Sequence, residues 1–520
     1  MSEIPKLKAQ IVSWFNISGF QIRSEASVFL AEQIVSLAEP TRKQWLQNIA
    51  GHVQGQNLDL PVVEKKHIEL AIKEANNTGL EDNETIFSVI NAYDVPRFRF
   101  NEEKKKFLPD SGKRGFLPGP DAKAEYIRER YLTLWQKTSR HEMFNTSKVS
   151  MQDVKRLTLR KIELLLSTSK MKEVVVLGLL TQLTEGKFYL EDPTGVVPID
   201  LSETVFSSGL FCEGCFVLAS GTYSDGTLKI DELGFPVTEP ASSSRAFYGT
   251  VNTWGGRSKT LLKYSKNLTE LERNSGGDSI VFLADCWLDN SIVMKKLTQL
   301  LVGYNSFPPR AIVLMGPFSK SNDNPYHLKE RFQALGEILA SYDSLKRETD
   351  IVLVPSCEDP TIANILPRPP LPQYLTADLK RSYPRLVLAT NPCRLQYCTQ
   401  QIVVCRSDLV TKLCRNTIHF PKSGQLADHF ARTLISQGTL APLHPIACPI
   451  HWNYDAALTL YPLPDLIVIG DTCQGFQTTE QSCTVLNTGS FPKSNFGFKV
   501  YIPTSRVVED SQIPDDHGGQ

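Results

Sequence analysis

Long apolar runs are missing from this sequence. A helix that crosses a bilayer needs about 20 consecutive, mostly apolar residues, and no stretch of the 520 residues comes near that length. The opening stretch MSEIPKLKAQIVSWF also lacks the continuous apolar segment of a secretory signal. We therefore expect no signal peptide, no membrane anchor and no membrane partner.

An excess of charge of either sign is missing too. Lys and Arg together number 56, and Asp and Glu together number 56. A neutral total is not typical of proteins that hold duplex DNA over their whole surface, because that binding depends on many phosphate contacts by basic side chains. A local basic strip remains compatible with this composition.

Paired cysteine spacing is rare. Among the 11 cysteines, Cys212 and Cys215 form a single C-x-x-C pair. A structural zinc site needs four ligands, and no second pair or nearby histidine completes this one. We expect reduced thiols that fill the core, and no metal or other cofactor.

The common catalytic motifs are absent as well. The sequence has no G-x-x-x-x-G-K-[ST] phosphate loop, no G-x-G-x-x-G turn, no G-x-S-x-G elbow and no H-E-x-x-H helix. These absences argue against the enzyme classes that depend on those motifs. The length of 520 residues is too great for one core, so we expect roughly three domains.

Apolar residues at helical spacing dominate residues 1–75. Ile4, Leu7, Ile11 and Phe15 fall on one face of a helix, and three further amphipathic stretches follow. The pattern predicts an N-terminal helical bundle. Such a bundle is either a structural cap or a docking module, and the pattern favours neither.

Residues 76–165 are predicted to form a linker and a helical wrap. The stretch TIFSVINAYDVPRFRF predicts a helix with an extended tail, and the next stretch has charge runs, Pro and Gly without periodicity. A helix returns around Tyr126. The linker is locally basic through Arg97, Arg99, Lys104, Lys105, Lys106, Lys113 and Arg114. A solvated linker is the favoured interpretation, and contact with nucleic acid or a partner is the alternative.

Over residues 166–240 the apolar residues no longer follow helical spacing. Five short β-rich runs are separated by turn residues, which predicts an OB-type β-barrel. Barrels of this type often bind single strands through aromatic side chains in a basic groove. Phe188 and Tyr189 are the only adjacent aromatic residues on these runs, and acidic residues are as common as basic ones. Single-strand binding is therefore a candidate that the composition does not favour.

In residues 241–520, β-rich runs alternate with helical stretches, which predicts an α/β domain whose strands deliver loops at their carboxyl ends. The whole chain is then an α+β multidomain protein. The order of these loops resembles that of calcineurin-like metallophosphoesterases, where Asp-x-His, Gly-Asp and Gly-Asn-His follow successive strands. Two cations about 3.5–4 Å apart need a bridging carboxylate and neutral imidazoles to clamp a phosphate and activate water.

Most of those ligands are missing here. Asp285 supplies the first carboxylate, but a tryptophan replaces the histidine and a proline replaces the second aspartate. His451 is the best candidate for a displaced ligand, although one imidazole does not make a two-metal site. The degenerate positions are Asp285, Trp287, Gly316, Pro317, Cys357, Asp359, Asn391 and Asp471. We predict a phosphoesterase fold without catalytic or metal-binding residues.

A helical module, an OB-type barrel and an inactive phosphoesterase-like domain, in that order, resemble the B subunits of eukaryotic replicative DNA polymerases, and most of all their epsilon branch. The resemblance covers nearly the whole chain. The stretches that carry it are AYDVPRFRFNEEKKKFLP at 92–109, YIRERYLTLWQKTSRHEMF at 126–144, LTQLTEGKFYLEDPTGVVPIDLS at 180–202, ILPRPPLP at 365–372, TNPCRLQYCTQQIVVCRSDLV at 390–410 and YPLPDLIVIGD at 461–471.

The resemblance implies a non-catalytic accessory subunit in the nucleus. In this family the barrel and the phosphoesterase-like domain together hold the Cys-rich C-terminal module of the polymerase's catalytic subunit. The N-terminal module is implicated in attaching the polymerase to the replicative helicase at leading-strand forks. The small polymerase subunits, and DNA within the complex, are the other partners implied.

Two rival functions remain open at this point. One is a metal-dependent phosphodiesterase with an atypical ligand set, against which the missing imidazoles and Pro317 argue. The other is a stand-alone single-strand DNA-binding protein, against which the neutral charge argues. The proline-rich stretch ILPRPPLP is either a stiff surface for a partner or a rigid loop that crosses the domain.

Overall fold

The computed structural model describes residues 3–17, 19–35, 39–56, 62–77, 85–112, 114–144, 157–321, 325–360 and 364–514. Lys113, one of the basic residues of the predicted linker, lies outside these ranges. Among the residues described, no helix combines the length and the apolar character that a membrane crossing requires.

Helices around one apolar core make up the described part of residues 3–77. Leu7, Ile11 and Phe15 are buried in that core, as their spacing of one helical turn indicates. Leu30 joins them from the second helix. The elements are α1 (Glu3–Ile17), β1 (Gln21–Ile22), α2 (Ser24–Ile34), α3 (Glu39–Gly55), β2 (Val62–Val63) and α4 (Lys65–Asn77), with β1 and β2 paired in parallel.

A strand, β3 (Phe87–Asn91), replaces the helix predicted from TIFSVIN. It pairs antiparallel with residues 393–397, so that Phe87 lies opposite Tyr397. The helix prediction is wrong here because the partner strand that satisfies these backbone groups is distant in sequence, and local spacing does not reveal it. The next elements are β4 (Arg97–Asn101) and β5 (Lys106–Asp110), which form a hairpin, and α5 (Ala122–Arg140).

A closed β-barrel occupies residues 159–234. The elements of this region are β6 (Leu159–Arg160), α6 (Ile162–Leu166), β7 (Lys170–Thr184), β8 (Lys187–Asp192), β9 (Gly195–Asp200), β10 (Val205–Phe206), β11 (Phe211–Cys212), β12 (Phe216–Ser224) and β13 (Thr227–Gly234). Of these, β11 pairs with residues 417–419 and not with a strand of the barrel. The strand order is β10–β13–β12–β7–β8–β9, and pairing between β13 and β9 closes the sheet on itself. Val176, Leu190 and Val217 fill the interior. The predicted barrel is therefore present.

Two six-stranded sheets lie in the remaining part of the chain. The elements are α7 (Ala241–Arg245), α8 (Lys266–Asn274), β14 (Ile280–Ala284), α9 (Ser291–Ser306), β15 (Ala311–Met315), α10 (Pro325–Ala340), α11 (Asp343–Glu348), β16 (Asp350–Val354), α12 (Gln373–Ser382), β17 (Leu386–Leu388), β18 (Cys393–Tyr397), β19 (Gln400–Arg406), α13 (Leu409–Asn416), β20 (Thr417–His419), α14 (Leu426–Gln437), β21 (Leu466–Gly470), β22 (Phe476–Glu480), β23 (Cys483–Asn487), β24 (Gly497–Ile502) and β25 (Val507–Gln512).

The two sheets pack face to face between a layer of helices and the barrel. The first sheet has the order β17–β16–β15–β14–β24–β25, and the second has the order β22–β23–β21–β19–β18–β3. Phe282 and Val313 of the first sheet share a core with Val404 of the second. Leu283, on the opposite face of β14, packs with residues of α9, α10 and α12. Ile467, on the other face of the second sheet, belongs to a continuous apolar cluster that also includes α14 and the barrel interior.

Candidate functional site

The loops at the carboxyl ends of four strands converge on one buried guanidinium, that of Arg406. Its Nη2 donates to Asp285 Oδ1 at 2.7 Å, and its Nη1 donates to Asp408 Oδ1 at 2.9 Å. Its Nε donates to the Gly316 carbonyl at 2.6 Å, and Nη1 donates to the Gly470 carbonyl at 3.0 Å. We call the following residues the strand-end site: Asp285, Gly316, Asp359, Asn391, Arg406 and Asp471.

Asp285 and Arg406 form an ion pair that is closed to solvent, with side chains 2% and 3% exposed. Burial by itself lowers the pKa of Arg406, but the carboxylates of Asp285 and Asp408 outweigh it and raise the pKa above its usual value. The guanidinium is therefore a permanent cation at the centre of the site. Such a pair is costly to break, because the remaining charge is left buried without a partner.

Two glycines leave room for this arrangement. A Cβ on Gly470 would lie 2.9 Å from Cδ of Arg406 and 3.0 Å from Sδ of Met315. A Cβ on Gly316 would lie 1.9 Å from Oδ2 of Asp359. A residue without a side chain is needed at both positions, because the guanidinium stem and the carboxylate approach the backbone so closely.

Asp359 is a second buried carboxylate, and both of its oxygens hold backbone amides. Oδ1 accepts a hydrogen bond from Phe318 N at 2.8 Å, and Oδ2 accepts one from Ser356 N at 2.7 Å. Burial raises the pKa of Asp359, although these hydrogen bonds lower it in part. The side chain therefore ties the loop after β15 to the loop after β16.

Asn391 and Asp471 also act on backbone groups. Asn391 Nδ2 donates to the Arg406 carbonyl at 2.7 Å, and its Oδ1 accepts from Arg406 N at 3.0 Å. Asp471 Oδ2 accepts from Val410 N at 2.8 Å, in the first turn of α13, and its Oδ1 accepts from Cys473 N at 3.0 Å. The first turn of a helix has N–H groups without helical partners, and a carboxylate there is stabilising. Both side chains thus fix the loops around Arg406.

The other predicted positions offer poor ligands for a divalent cation. Trp287 is 8% exposed and packs in the apolar core under α9. Lys320 Nζ lies 5.2 Å from the centroid of its ring. Pro317 has no side-chain donor or acceptor. Burial raises the pKa of the Cys357 thiol, which keeps it in the protonated form that does not bind metal.

Residues 364–368 cover the strand-end site. Arg368 is 1% exposed, and its Nη2 donates to the Asp359 carbonyl at 3.1 Å. Its backbone N donates to the Asn391 carbonyl at 2.7 Å. The space left beside Arg406 is a cavity of about 10 Å³, enough for roughly one water molecule. Of the two interpretations of ILPRPPLP, the structure favours a rigid loop that crosses the domain.

This donor set does not fit a two-metal centre. Within the part of the chain that the structure describes, no group of three or more His, Cys, Asp or Glu side chains is placed to hold a metal ion. His451, the candidate for a displaced ligand, packs edge-on against Phe116, with ring centroids 5.2 Å apart. The charge that faces Asp285 is the guanidinium of Arg406, which would repel a divalent cation.

The basic residues of the predicted linker fall into two groups. Arg97 Nη2 lies 2.7 Å from Glu129 Oε1, and Arg99 Nε lies 2.9 Å from Asp110 Oδ2. Arg99 Nε also lies 3.0 Å from Glu129 Oε1, so both arginines hold the β4–β5 hairpin against α5 and are engaged within the chain. The lysines at the turn of the hairpin remain exposed to a partner, and they are Lys104, Lys105 and Lys106.

The two adjacent aromatic residues of the barrel point to opposite faces of β8. Consecutive side chains of a strand alternate between faces, and Leu190, two residues after Phe188, is buried in the barrel core. Phe188 packs against that core, whereas Tyr189 is half-buried on the other face. The pair therefore does not form a single stacking platform for bases.

Arg406 is the functional residue that sequence reasoning missed. Its signal is in the stretch QIVVCRSD, where an arginine directly ends a run of apolar residues that form a buried strand. Arg368 was also missed. Its role depends on contacts with Asp359 and Asn391, which lie in other loops.

Family models match all three regions of the chain. The model described as "DNA polymerases epsilon N terminal" matches residues 3–75, and the model of the DNA polymerase alpha/epsilon B subunits matches residues 280–478. The model "DNA polymerase epsilon subunit 2-like, OB-fold domain" matches residues 120–237, which confirms the OB fold and takes in α5. The protein is therefore a member of the class of DNA polymerase B subunits.

The chain belongs to the DNA polymerase epsilon subunit 2 family. It is similar to DNA polymerase epsilon subunit 2 of Drosophila melanogaster, with 55% identity over 516 residues that cover 98% of each chain. The Homo sapiens protein of the same name is 42% identical over 520 residues, 98% of this chain and 99% of that one. The B subunit of DNA polymerase epsilon of Saccharomyces cerevisiae is 26% identical over 518 residues, which cover 82% of this chain and 75% of the yeast protein.

Proposed function

We propose that this chain is a non-catalytic accessory subunit of the DNA polymerase epsilon complex. The observation that carries the proposal is the position of Arg406, whose charge is balanced inside the chain by Asp285 and Asp408. A site built in this way offers neither the metal-bound water nor the metal clamp on phosphate that phosphodiester hydrolysis uses. The names of the relatives, which are those of polymerase subunits, point the same way.

The proposal gives each region of the chain its own task. Residues 1–75 form a docking module, 76–165 a linker and wrap, 166–240 the OB-fold domain and 241–520 an inactive calcineurin-like phosphoesterase domain. The wrap joins the last two, because β3 pairs within the second sheet and α5 packs beside the barrel. Arg130 of α5 also donates from Nε to Asp455 Oδ2 at 3.0 Å. These contacts favour a single rigid scaffold over two domains on a flexible linker.

The main partner in this proposal is the catalytic subunit of DNA polymerase epsilon. Its Cys-rich C-terminal module would rest on the barrel and the phosphoesterase-like domain, which the strand-end site holds rigid. The docking module would contact the replicative helicase, and the small polymerase epsilon subunits would join the same complex. The setting is the nucleus, in leading-strand DNA replication, with DNA contacted within the complex.

The experiment is affinity purification of the tagged full chain from nuclear extract, followed by a salt wash and mass spectrometry. Recovery of a large polymerase polypeptide at near one-to-one stoichiometry is the expected result. Recovery of the chain alone would overturn the scaffold role. A phosphodiesterase assay on the wild-type chain and Asp285→Ala, and a salt titration of single-strand binding, would then test the two rival functions.

A further inference from the structure

A partly open cavity lies between α5, the β4–β5 hairpin and β18. Its volume is about 80 Å³, which is room for several water molecules or one small ion, since roughly 10–15 Å³ of such volume holds a single water. It shares no lining residue with the cavity beside Arg406. We call it the α5 cavity. Its charged lining consists of the cations Arg97, Arg130, Lys137 and Arg394 and the carboxylates Glu129 and Asp455.

Two of the four cations in this lining are paired with carboxylates. Arg97 Nη2 lies 2.7 Å from Glu129 Oε1, and Arg130 Nε donates to Asp455 Oδ2 at 3.0 Å. Lys137 and Arg394 differ from these two. Neither has a carboxylate oxygen within ion-pair distance among the residues that the structure describes, so the lining carries an excess of positive charge.

Lys137 and Arg394 are nevertheless buried, with exposures of 3% and 6%. Lys137 Nζ donates to the Ser436 carbonyl at 3.0 Å. Arg394 donates from Nη1 and Nη2 to backbone carbonyls, while its buried Nε has no hydrogen-bond partner among the described residues. Carbonyl oxygens stabilise these cations only in part, since a buried charge is costly unless a counter-charge is close.

Burial of these two side chains favours their neutral forms over their charged forms. Burial lowers the pKa of Lys137 to about 8 and that of Arg394 to about 10. Glu239, the carboxylate that acts on Lys137 from outside the cavity, is already held by Arg140 at 3.0 Å and by the Tyr461 hydroxyl at 2.7 Å. The part of the chain that the structure describes therefore supplies no counter-charge that would relieve both cations.

We propose that the α5 cavity is a binding site for one small oxyanion of the phosphate class. Such an ion would accept hydrogen bonds from Lys137 Nζ and from Arg394 Nε. Charge-assisted hydrogen bonds of this kind are short and strong. A volume of about 80 Å³ is enough for inorganic phosphate. The bound ion would fasten α5 and the hairpin to the second sheet.

Equilibrium dialysis of the full chain against radiolabelled inorganic phosphate tests the proposal, with chloride keeping the ionic strength constant. We expect saturable binding of about one phosphate per chain and an upward shift of the melting temperature with phosphate. Lys137→Met should weaken the binding by about tenfold or more, because it removes a charged donor. Lys137→Gln, which keeps a donor toward Ser436, provides a second variant if the first one does not fold.

The matched control is Lys296→Met. Lys296 is also buried, at 5% exposure, and its Nζ also donates to one backbone carbonyl, that of Pro514 at 2.7 Å, but it does not line the α5 cavity. Phosphate binding should survive this change. Absence of saturable binding by the wild-type chain, equal binding by the Lys137 variants, or equal stabilisation by acetate would overturn the proposal.

Discussion

The carboxylate of Asp285 meets the guanidinium of Arg406 with 2.7 Å between Oδ1 and Nη2. Asp285 adopts this position with a φ of +60°, a left-handed conformation that costs a residue other than glycine about 1–3 kcal/mol. The conformation persists because the surrounding structure, including the ion pair, holds it. In an active phosphoesterase a first carboxylate of this kind would face a metal ion, whereas here it faces a cation of the chain itself.

Arg406→Met should therefore destabilise the chain strongly. The change leaves the Asp285 carboxylate buried without its partner, and we expect the free energy of unfolding to fall by about 3–5 kcal/mol. Asp285→Asn combined with Arg406→Met should recover part of that loss, since it buries no charge. Urea denaturation of the full chain measures both effects. A cost below about 1 kcal/mol for the single variant would contradict the importance of the pair.

Gly470→Ala tests whether the Arg406 stem needs the space beside the backbone. The added Cβ would lie 2.9 Å from Cδ of Arg406 and 3.2 Å from Cβ of Ala284, so we expect a loss of about 1–3 kcal/mol from overpacking. Gly303→Ala in α9 is the control, because no atom of the described residues outside its own stretch of helix lies within 4 Å of its added Cβ. That control should stabilise the helix slightly. Equal effects of the two substitutions would show that crowding at Gly470 is unimportant.

Lys137 should make the stability of the chain depend on pH in alkaline solution. Its pKa is lowered from 10.5 to about 8 in the folded chain, so the unfolded chain binds more protons at this lysine between those two values. The free energy of unfolding that it contributes should therefore rise by about 3 kcal/mol from pH 8 to pH 10.5 and stay constant below pH 8. Lys137→Met lacks this titrating group. In phosphate-free buffer, the free energy of unfolding of the wild type should therefore rise relative to that of Lys137→Met across that interval. A difference that stays constant would count against the burial of a charged lysine.

Deletion of residues 1–75 tests the division of tasks along the chain. The apolar core of this region is made from its own residues, between Leu7 and Ala71, so removing it should leave the barrel and the two sheets intact. We expect the truncated chain to bind the polymerase catalytic subunit as the full chain does, and to bind the replicative helicase less. Co-purification of each partner measures this. Loss of polymerase binding by the truncated chain would contradict the assignment of polymerase binding to the barrel and the two sheets.

Local patterns predicted the elements that depend on neighbouring residues. The one-turn spacing of Leu7, Ile11 and Phe15 indicated a buried helix face, and the turn-separated β-rich runs indicated the barrel. The apolar run before Asp285 was correctly assigned as a buried strand. In each case the signal is the periodicity of burial, which the sequence carries directly.

The features that could not be predicted depend on contacts between residues that are distant in sequence. Phe87–Asn91 is a strand because it pairs with β18, and no local feature distinguishes it from a helix. Arg97 is engaged by Glu129 of α5, whereas the composition of this segment favoured a solvated linker. The lack of ligand atoms at Trp287 and Pro317 could be read from the sequence, but the guanidinium that faces Asp285 comes from a strand more than a hundred residues later, at Arg406.

The measurement that tests the central claim most directly is the metal content of the purified full chain after incubation with Mn²⁺ and gel filtration, combined with a phosphodiester hydrolysis assay on the same sample. Arg406 occupies the position opposite Asp285, so we predict no stoichiometric Mn²⁺ and no hydrolysis above the buffer rate. Two Mn²⁺ ions per chain, with hydrolysis that is lost in Asp285→Ala, would contradict the account.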